Sequence, residues 1–387
     1  MDAVTAGCGV CSFLIHGPYS YSFHAMKRLL IATLSLFMLL LPARAQEEIQ
    51  YTPGTAFPVY GQAFTATQEH PYRRLPESLS GTVRSAVWNL GCNSAGLYVR
   101  FRSDAPEIHA RWTTGGNHMP HMTDCGTGGL DLYTLISGEW RYVGSGFNWG
   151  APSPSHECRL VGNMDPAPRE YMLYLALYDE VKTLEIGVPA GYSLSIPEAD
   201  TPRSDRPIVM YGTSILQGGC ASRPGMAFTN IIARRFDRTV INLGFSGNAF
   251  LDDEIAELMA SVEAPSVYVL DYVPNASVEM IEERGERFFR TLRDAHPDVP
   301  VIFVEDPQFA HLVVDRAIAD EVRRKNAAQK ALFQRLRKAG ERKIYYVGSP
   351  GMTGDDGEAF VDGIHLTDLG MVRYADHIHR TLSKALR

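Results

Sequence analysis

Two textures of apolar and polar residues meet near residue 205 of the chain. From about Tyr51 to Ile196 the apolar runs are short and alternating. Examples are Gly96-Leu97-Tyr98-Val99-Arg100-Phe101, Ile108-His109-Ala110-Arg111-Trp112 and Thr183-Leu184-Glu185-Ile186-Gly187-Val188, with Gly, Pro, Asn and Ser between the runs. A period of two places successive side chains on opposite faces of a strand. Many such runs separated by turn residues predict antiparallel strands, hence a β-sandwich of jelly-roll type. No helix-length amphipathic window stands out in this half. Residues 197–207 carry Pro197, Pro202 and Pro207 among several charges and predict a linker.

Beyond the linker the pattern changes to strand–helix alternation. Short apolar runs at 208–211, 240–243, 267–270, 301–304 and 344–347 predict five buried strands. Helical periods cover 227–236, 252–261, 278–295, 314–339 and 367–386. Buried apolar strands separated by helices imply a parallel sheet covered on both faces. Chemistry in such sheets sits at the carboxyl ends of the strands. The expected organisation is an upstream extension and leader over 1–45, a β-domain over 46–200 and an α/β domain over 206–387.

The first 45 residues change the picture of where the chain works. Lys27 and Arg28 precede an apolar run from Leu29 to Leu41, and Pro42 leads into Ala43-Arg44-Ala45. A charged start, a short apolar run and a small-x-small site predict a secretory signal cut near Ala45. The run is too short for a stable membrane anchor. Met26 directly precedes the charges, so residues 1–25 read as an extension ahead of a second candidate start. Export bears on Cys92, Cys125, Cys158 and Cys220, which in an oxidising compartment allow two bridges in three possible pairings. The net charge is −7, and no long Lys/Arg run occurs. Nucleic-acid binding draws most of its affinity from phosphate neutralisation, so a nucleic-acid partner is not expected.

The candidate chemistry follows the strands. Gly212-Thr213-Ser214 comes directly after the first, where a hydroxyl can project at the sheet edge but needs a base to become a nucleophile. Asp362-Gly363-Ile364-His365 stands before the last helix. Asp and His three apart can point the same way, the carboxylate fixing one ring nitrogen and leaving the other for Ser214. Each motif alone is as well explained by a turn or a cap. Together they predict a Ser214–His365–Asp362 triad at one edge. Gly244-Phe245-Ser246-Gly247-Asn248 and Asp271-Tyr272-Val273-Pro274-Asn275 end the second and third strands. The Ser214 N–H, the Gly247 N–H and the Asn275 amide are candidate donors to an oxyanion.

This set resembles the SGNH (GDSL-type) hydrolases, whose name lists Ser, Gly, Asn and His from four blocks. Ser214, Gly247, Asn275 and His365 occur in family order over residues 206–387. Gly129-Leu130-Asp131-Leu132-Tyr133 resembles the G-x-D-L-Y signature of a β-domain that precedes a subset of these enzymes. Gly218-Gly219-Cys220-Ala221-Ser222-Arg223-Pro224-Gly225 also resembles that branch. The chain departs from the family at Thr213, where Asp is usual, and at Val273-Pro274-Asn275-Ala276, where Gly-x-Asn-Asp is usual. The resemblance implies a flavodoxin-like α/β/α domain and hydrolysis of acetyl or acyl esters, often on carbohydrates, with no cofactor and no metal.

Other residues carry two readings each. Gln217 and Arg223, close behind the nucleophile, are candidates for substrate binding; for Arg223 the competing reading is an ion pair with a nearby acid. His118 and His121 lie near Asp124 but lack a clear third and fourth ligand, so no metal is expected there. His121 is instead a candidate cleft-lining residue, the competing reading being a structural loop. Asp131 and Tyr133, at alternate strand positions, read as packing or as an interdomain hydrogen bond. Trp88, Trp112, Trp140 and Trp149 suit a sugar platform but are more often core. The expected partner is a small-molecule or glycan ester. A lipid or aryl esterase of the same fold, and a carbohydrate-binding protein that has lost the chemistry, are the alternatives.

Overall fold

The computed structural model describes residues 48–64, 69–148, 150, 153–197 and 204–387. The predicted leader and Trp149 lie outside the described residues. The alternating runs form ten strands: β1 (Ile49–Pro53), β2 (Val59–Tyr60), β3 (Tyr98–Ser103), β4 (Ile108–Thr113), β5 (Leu130–Ile136), β6 (Glu139–Gly146), β7 (Ser155–Val161), β8 (Arg169–Tyr174), β9 (Thr183–Pro189) and β10 (Leu194–Ser195). One sheet has the order β1-β9-β4-β7 and the other β10-β3-β8-β5-β6, with β2 beside β3. Every pairing in them is antiparallel.

The sheets meet over one apolar core. Val99, Phe101, Leu132 and Leu173 come from one sheet, and Ala110, Trp112, Leu184 and Ile186 from the other. Burying a side chain of this size is worth about 1.5–3 kcal/mol. Trp112 is a core residue, its indole N–H donating to Gly128 O, so it offers no sugar platform. Two short helices, Ser85–Gly91 and Asp124–Gly128, interrupt this half. They were not expected, because a helix of one or two turns shows too little of the 3.6-residue period to register.

The second half forms β11 (Ser204–Gly212), β12 (Arg238–Gly244), β13 (Val267–Asp271), β14 (Val301–Val304) and β15 (Ile344–Val347). All pair in parallel, in the order β12-β11-β13-β14-β15, which is the flavodoxin-like 2-1-3-4-5 arrangement. Strand residues alternate between two cores. Val209, Tyr211, Leu243, Leu270 and Phe303 face the helices Asp253–Ala260, Val278–Ala295 and Arg316–Lys338. Met210, Val240, Val269 and Ile302 face Phe228–Phe236 and Asp368–Ala385. The architecture is thus a three-layer α/β/α sandwich.

Caps set the helix starts. Ser277 accepts from Met280 N–H, Asp315 from the N–H groups of Ala317 and Ile318, and Thr367 from Gly370 N–H. The Asp315 cap explains why that helix begins at Arg316 and not at Val314.

The two halves share a polar and aromatic seam. Arg74 donates to the carbonyls of Asn242 and Gly244 at 3.1 and 2.7 Å, and to those of Asn93 and Leu90 on its own side. Tyr98 Oη lies 3.2 Å from Thr239 Oγ1. Gly96, at φ 81, approaches Asn242 so closely that a β-carbon there would lie 2.6 Å from Asn242 Cβ. The result is one compact unit, Ile49–Arg387.

Candidate active site

Three strand ends lie level at the carboxyl edge: Gly212 pairs with Gly244 of β12 and with Asp271 of β13. Ser214 opens a four-residue helix, Ser214–Gln217, just past that edge. Thr213 caps it by accepting the Ile215 N–H, so the residue that departs from the family pattern keeps a capping function. The Ser214 carbonyl accepts from Tyr178 Oη at 3.0 Å and from Gly219 N–H at 2.7 Å. The β-half therefore helps to hold the loop that carries the hydroxyl.

Asp362 builds its own turn. Its Oδ1 accepts from the N–H groups of Ile364 and His365 at 3.0 and 2.7 Å, and Gly363 takes φ 90 at the bend. A one-residue bridge between Phe360 and Leu366 closes the loop at its base. The turn aims the ring of His365 back at the strand ends. His365 Nδ1 lies 2.7 Å from Asp362 Oδ2, and His365 Nε2 lies 2.9 Å from Ser214 Oγ. Burial alone would raise the Asp362 carboxyl. The hydrogen bonds from the His365 ring and from the two backbone N–H groups outweigh it and hold the carboxyl at about 2.

The loop after β12 packs against the serine loop. Phe245 N–H donates to Gly212 O at 2.9 Å, and Ser246 N–H donates to Gln217 Oε1 at 3.1 Å. Gly247 takes φ 65. Asn275 is tied to the same loop, its Oδ1 accepting from Ala249 N–H at 3.2 Å. Its NH2 end makes no hydrogen bond among the described residues, and so remains available to an acceptor. Behind the site Tyr374 Oη donates to both oxygens of Asp271 at 2.9 Å. Complete burial raises that carboxyl well above its ordinary range.

Three sequence expectations need correction or completion. Gln217 is fully buried and spends both ends of its amide on the protein: Nε2 donates to Leu177 O, and Oε1 accepts from Ser246. It cannot meet a substrate, because a strand-to-helix turn this tight directs its last residue inward. Arg223 forms the ion pair: NH1 reaches Asp131 Oδ2 at 2.6 Å and Tyr133 Oη at 2.7 Å. It therefore joins the two halves. The two disulfides that export allows are absent; Cys92, Cys125, Cys158 and Cys220 are separate thiols.

His118 pairs with Asp124 at 3.1 Å. His121 reaches the other way, its ring centroid 5.4 Å from that of His365. The sequence reading missed Tyr178, Arg74 and Asp368. Asp368 accepts from the N–H and the hydroxyl of Ser222 and so pins the loop behind the serine. A lone acid, a lone tyrosine or a lone arginine carries no spacing signal that could have found them.

A doubly wound sheet with a serine, an imidazole and a carboxylate in hydrogen-bonded series at its carboxyl edge defines a class: it has the geometry of a serine hydrolase. The GDSL-like lipase/acylhydrolase family model matches residues 205–383, and that of the GxDLY N-terminus of SGNH-hydrolase-type esterases matches residues 49–194. A protein of Bacteroides ovatus ATCC 8483, provisionally classed as a GDSL-like lipase, is 35% identical with a TM-score of 0.82, over 88% of this chain and 98% of that one. The salicylyl-acyltransferase SsfX3 of a tetracycline biosynthetic pathway is 17% identical at TM-score 0.70, over 88% and 98% of the two chains. A family two carbohydrate esterase from Cellvibrio japonicus shares the fold at 12% identity and TM-score 0.56, over 88% and 99%. None of the curated proteins matches the chain in sequence. The chain belongs to the GDSL-like lipase/acylhydrolase (SGNH) family, in the branch with a GxDLY N-terminal domain, and is a carboxylic ester hydrolase.

Proposed function

We propose that the protein is an exported esterase that removes acetyl or short acyl groups from carbohydrates by a two-step transfer through Ser214. The observation that carries the proposal is the series Ser214 Oγ–His365 Nε2–Asp362 Oδ2, at 2.9 Å from hydroxyl to ring and 2.7 Å from ring to carboxylate. Asp362 holds the ring with its proton on Nδ1, which leaves the Nε2 lone pair for the hydroxyl proton. Ser214 Oγ attacks the ester carbonyl as its proton passes to His365. The N–H groups of Ser214 and Gly247 and the Asn275 amide receive the oxyanion. His365 returns the proton to the departing alcohol. Water then enters, gives a proton to His365 and attacks the acyl-serine. His365 passes that proton to Ser214 Oγ as the acyl–oxygen bond breaks, which releases the acid and restores the hydroxyl.

The carbohydrate part rests on the shared fold with a carbohydrate esterase and is an argument by analogy. Export rests on the leader pattern ahead of Gln46. Among the described residues no helix is long and apolar enough to cross a membrane. A second reading has its own observation. Val361 and Ile364 stand exposed beside the Asp362–His365 turn, and exposed Val313 and Val314 follow His311, which abuts Gly363. Such an apolar rim favours longer acyl chains or aryl groups.

The test uses the purified chain from Gln46 onward with p-nitrophenyl esters of rising acyl length and with acetylated oligosaccharides. The expected result is highest kcat/KM on acetyl substrates, release of acetate from the oligosaccharides, and a loss of about six orders of magnitude in kcat in Ser214→Ala. Rising activity with acyl length selects the lipid reading. No hydrolysis of any ester, with sugar binding retained, selects a silent binding protein. Full activity in Ser214→Ala refutes the mechanism.

A further inference from the structure

We propose that the site is also a metal-inhibition site, in which a thiophilic divalent cation such as Zn2+ binds between His121, Cys220 and His365 and silences the esterase. The inference rests on the reading of His365 as the base. The ligand atoms of these three residues all lie within 4.8 Å of one another. They come from three separate segments: a loop of the β-half, the loop behind the serine, and the turn that carries Asp362. Two imidazoles and one thiol form a donor set suited to Zn2+, and three protein ligands leave a fourth tetrahedral position for water. With Zn–N near 2.0–2.1 Å and Zn–S near 2.3 Å, tetrahedral ligands sit roughly 3.3–3.7 Å apart. Capture therefore needs a closure of about 1 Å, which rotation of the His121 ring on its loop can supply.

Cys220 is held in place for such a role. It is 7% exposed and adopts φ 68, a left-handed conformation that costs any residue but glycine. Hydrogen bonds on either side fix it, from Ala221 N–H to Gly218 O and from Ser222 to Asp368. Burial first, and then the Asp362 charge, push its thiol up to about 12, so without a metal it is an inert S–H. On binding, the S–H bond breaks, the proton passes to solvent and a Zn–S bond forms, with no change of oxidation state. A neutral imidazole has one lone pair. Coordination of His365 and removal of the Ser214 proton are therefore mutually exclusive.

Two readouts on the full mature chain test this. Zn2+ titrated into p-nitrophenyl acetate hydrolysis is expected to lower the rate at least about tenfold, with full recovery on chelation. Co2+ is expected to give tetrahedral ligand-field bands together with a thiolate-to-cobalt charge-transfer band. Cys220→Ala should keep its metal-free rate, lose the charge-transfer band and need about 10–100 times more zinc for the same inhibition. Cys220→Ser, checked by thermal melting, guards against misfolding of the first variant. Equal zinc sensitivity in wild type and folded Cys220 variants, or no Cys220-dependent cobalt band, overturns the proposal. If the chain hydrolyses no ester, the cobalt spectrum still decides on the site while the esterase mechanism fails separately.

Discussion

Asp362 serves two ends of one turn: Oδ2 accepts from the His365 ring, and Oδ1 closes the backbone through Ile364 and His365. Asp362→Asn keeps an acceptor for the turn but loses the charge that fixes the ring. The expected outcome is a kcat lower by about 10^2–10^4 and a melting temperature that is lowered near neutral pH and converges on that of the wild type toward pH 2, measured by steady-state kinetics and calorimetry. The depressed carboxyl also makes a pH prediction. Its stabilisation is complete above the ordinary carboxylate range and disappears as pH falls toward about 2. Melting curves between pH 5 and pH 2 should therefore fall less steeply for Asp362→Asn than for the wild type. Asn275→Ala removes the donor proposed for the oxyanion and should lower kcat about 10^2–10^3-fold while KM changes little.

Among the elements, β5 and the loop behind the serine are joined through Asp131. This carboxylate is fully buried and accepts from Ser145 Oγ, Arg223 and Gly225 N–H at 2.6, 2.6 and 2.8 Å. Burial raises the carboxyl even against the pull of Arg223. A raised carboxyl favours the fold most at low pH and loses that contribution as pH rises through its folded value. Arg223→Met removes the opposing charge and raises the carboxyl further. The expected destabilisation is about 3–5 kcal/mol at pH 8 and clearly less at pH 4, read from denaturant melts at both pH values. Equal losses at the two pH values would show that the pair is not the cause. The five parallel strands and their helices were legible because each side of the sheet is covered, so burial is written as unbroken apolar runs. The Ser214–His365–Asp362 series, which lies within hydrogen-bonding distance, was legible because strand ends and local spacing place its members. Gln217 was read as a substrate group although its amide is buried and spent on the protein, since proximity in sequence to Ser214 says nothing about the direction of a side chain leaving a tight turn. Of the two readings open for Arg223, the ion pair is the one observed. The helices Ser85–Gly91 and Asp124–Gly128 were invisible because they are short.

At the scale of the molecule the change of texture near residue 205 is not a change of folding unit. Arg74 is fully buried, and its guanidinium donates to carbonyls from both halves. Tyr178 of the β-half supports the serine loop, and Gly96 touches Asn242. The chain from Gln46 should melt in one cooperative calorimetric transition, and residues 204–387 expressed alone should fail to fold. Two resolved transitions, or a folded and active fragment, would remove this part of the account.

Everything turns on whether Ser214 is the atom that takes the acyl group, and that can be read directly. The chain from Gln46 onward is treated with a fluorophosphonate, digested and sequenced by mass spectrometry, beside His365→Ala. The predicted result is a single adduct on Ser214 that forms in step with loss of esterase activity, and strongly slowed labelling in the variant. An adduct on another residue that abolishes activity while Ser214 stays unmodified would contradict it.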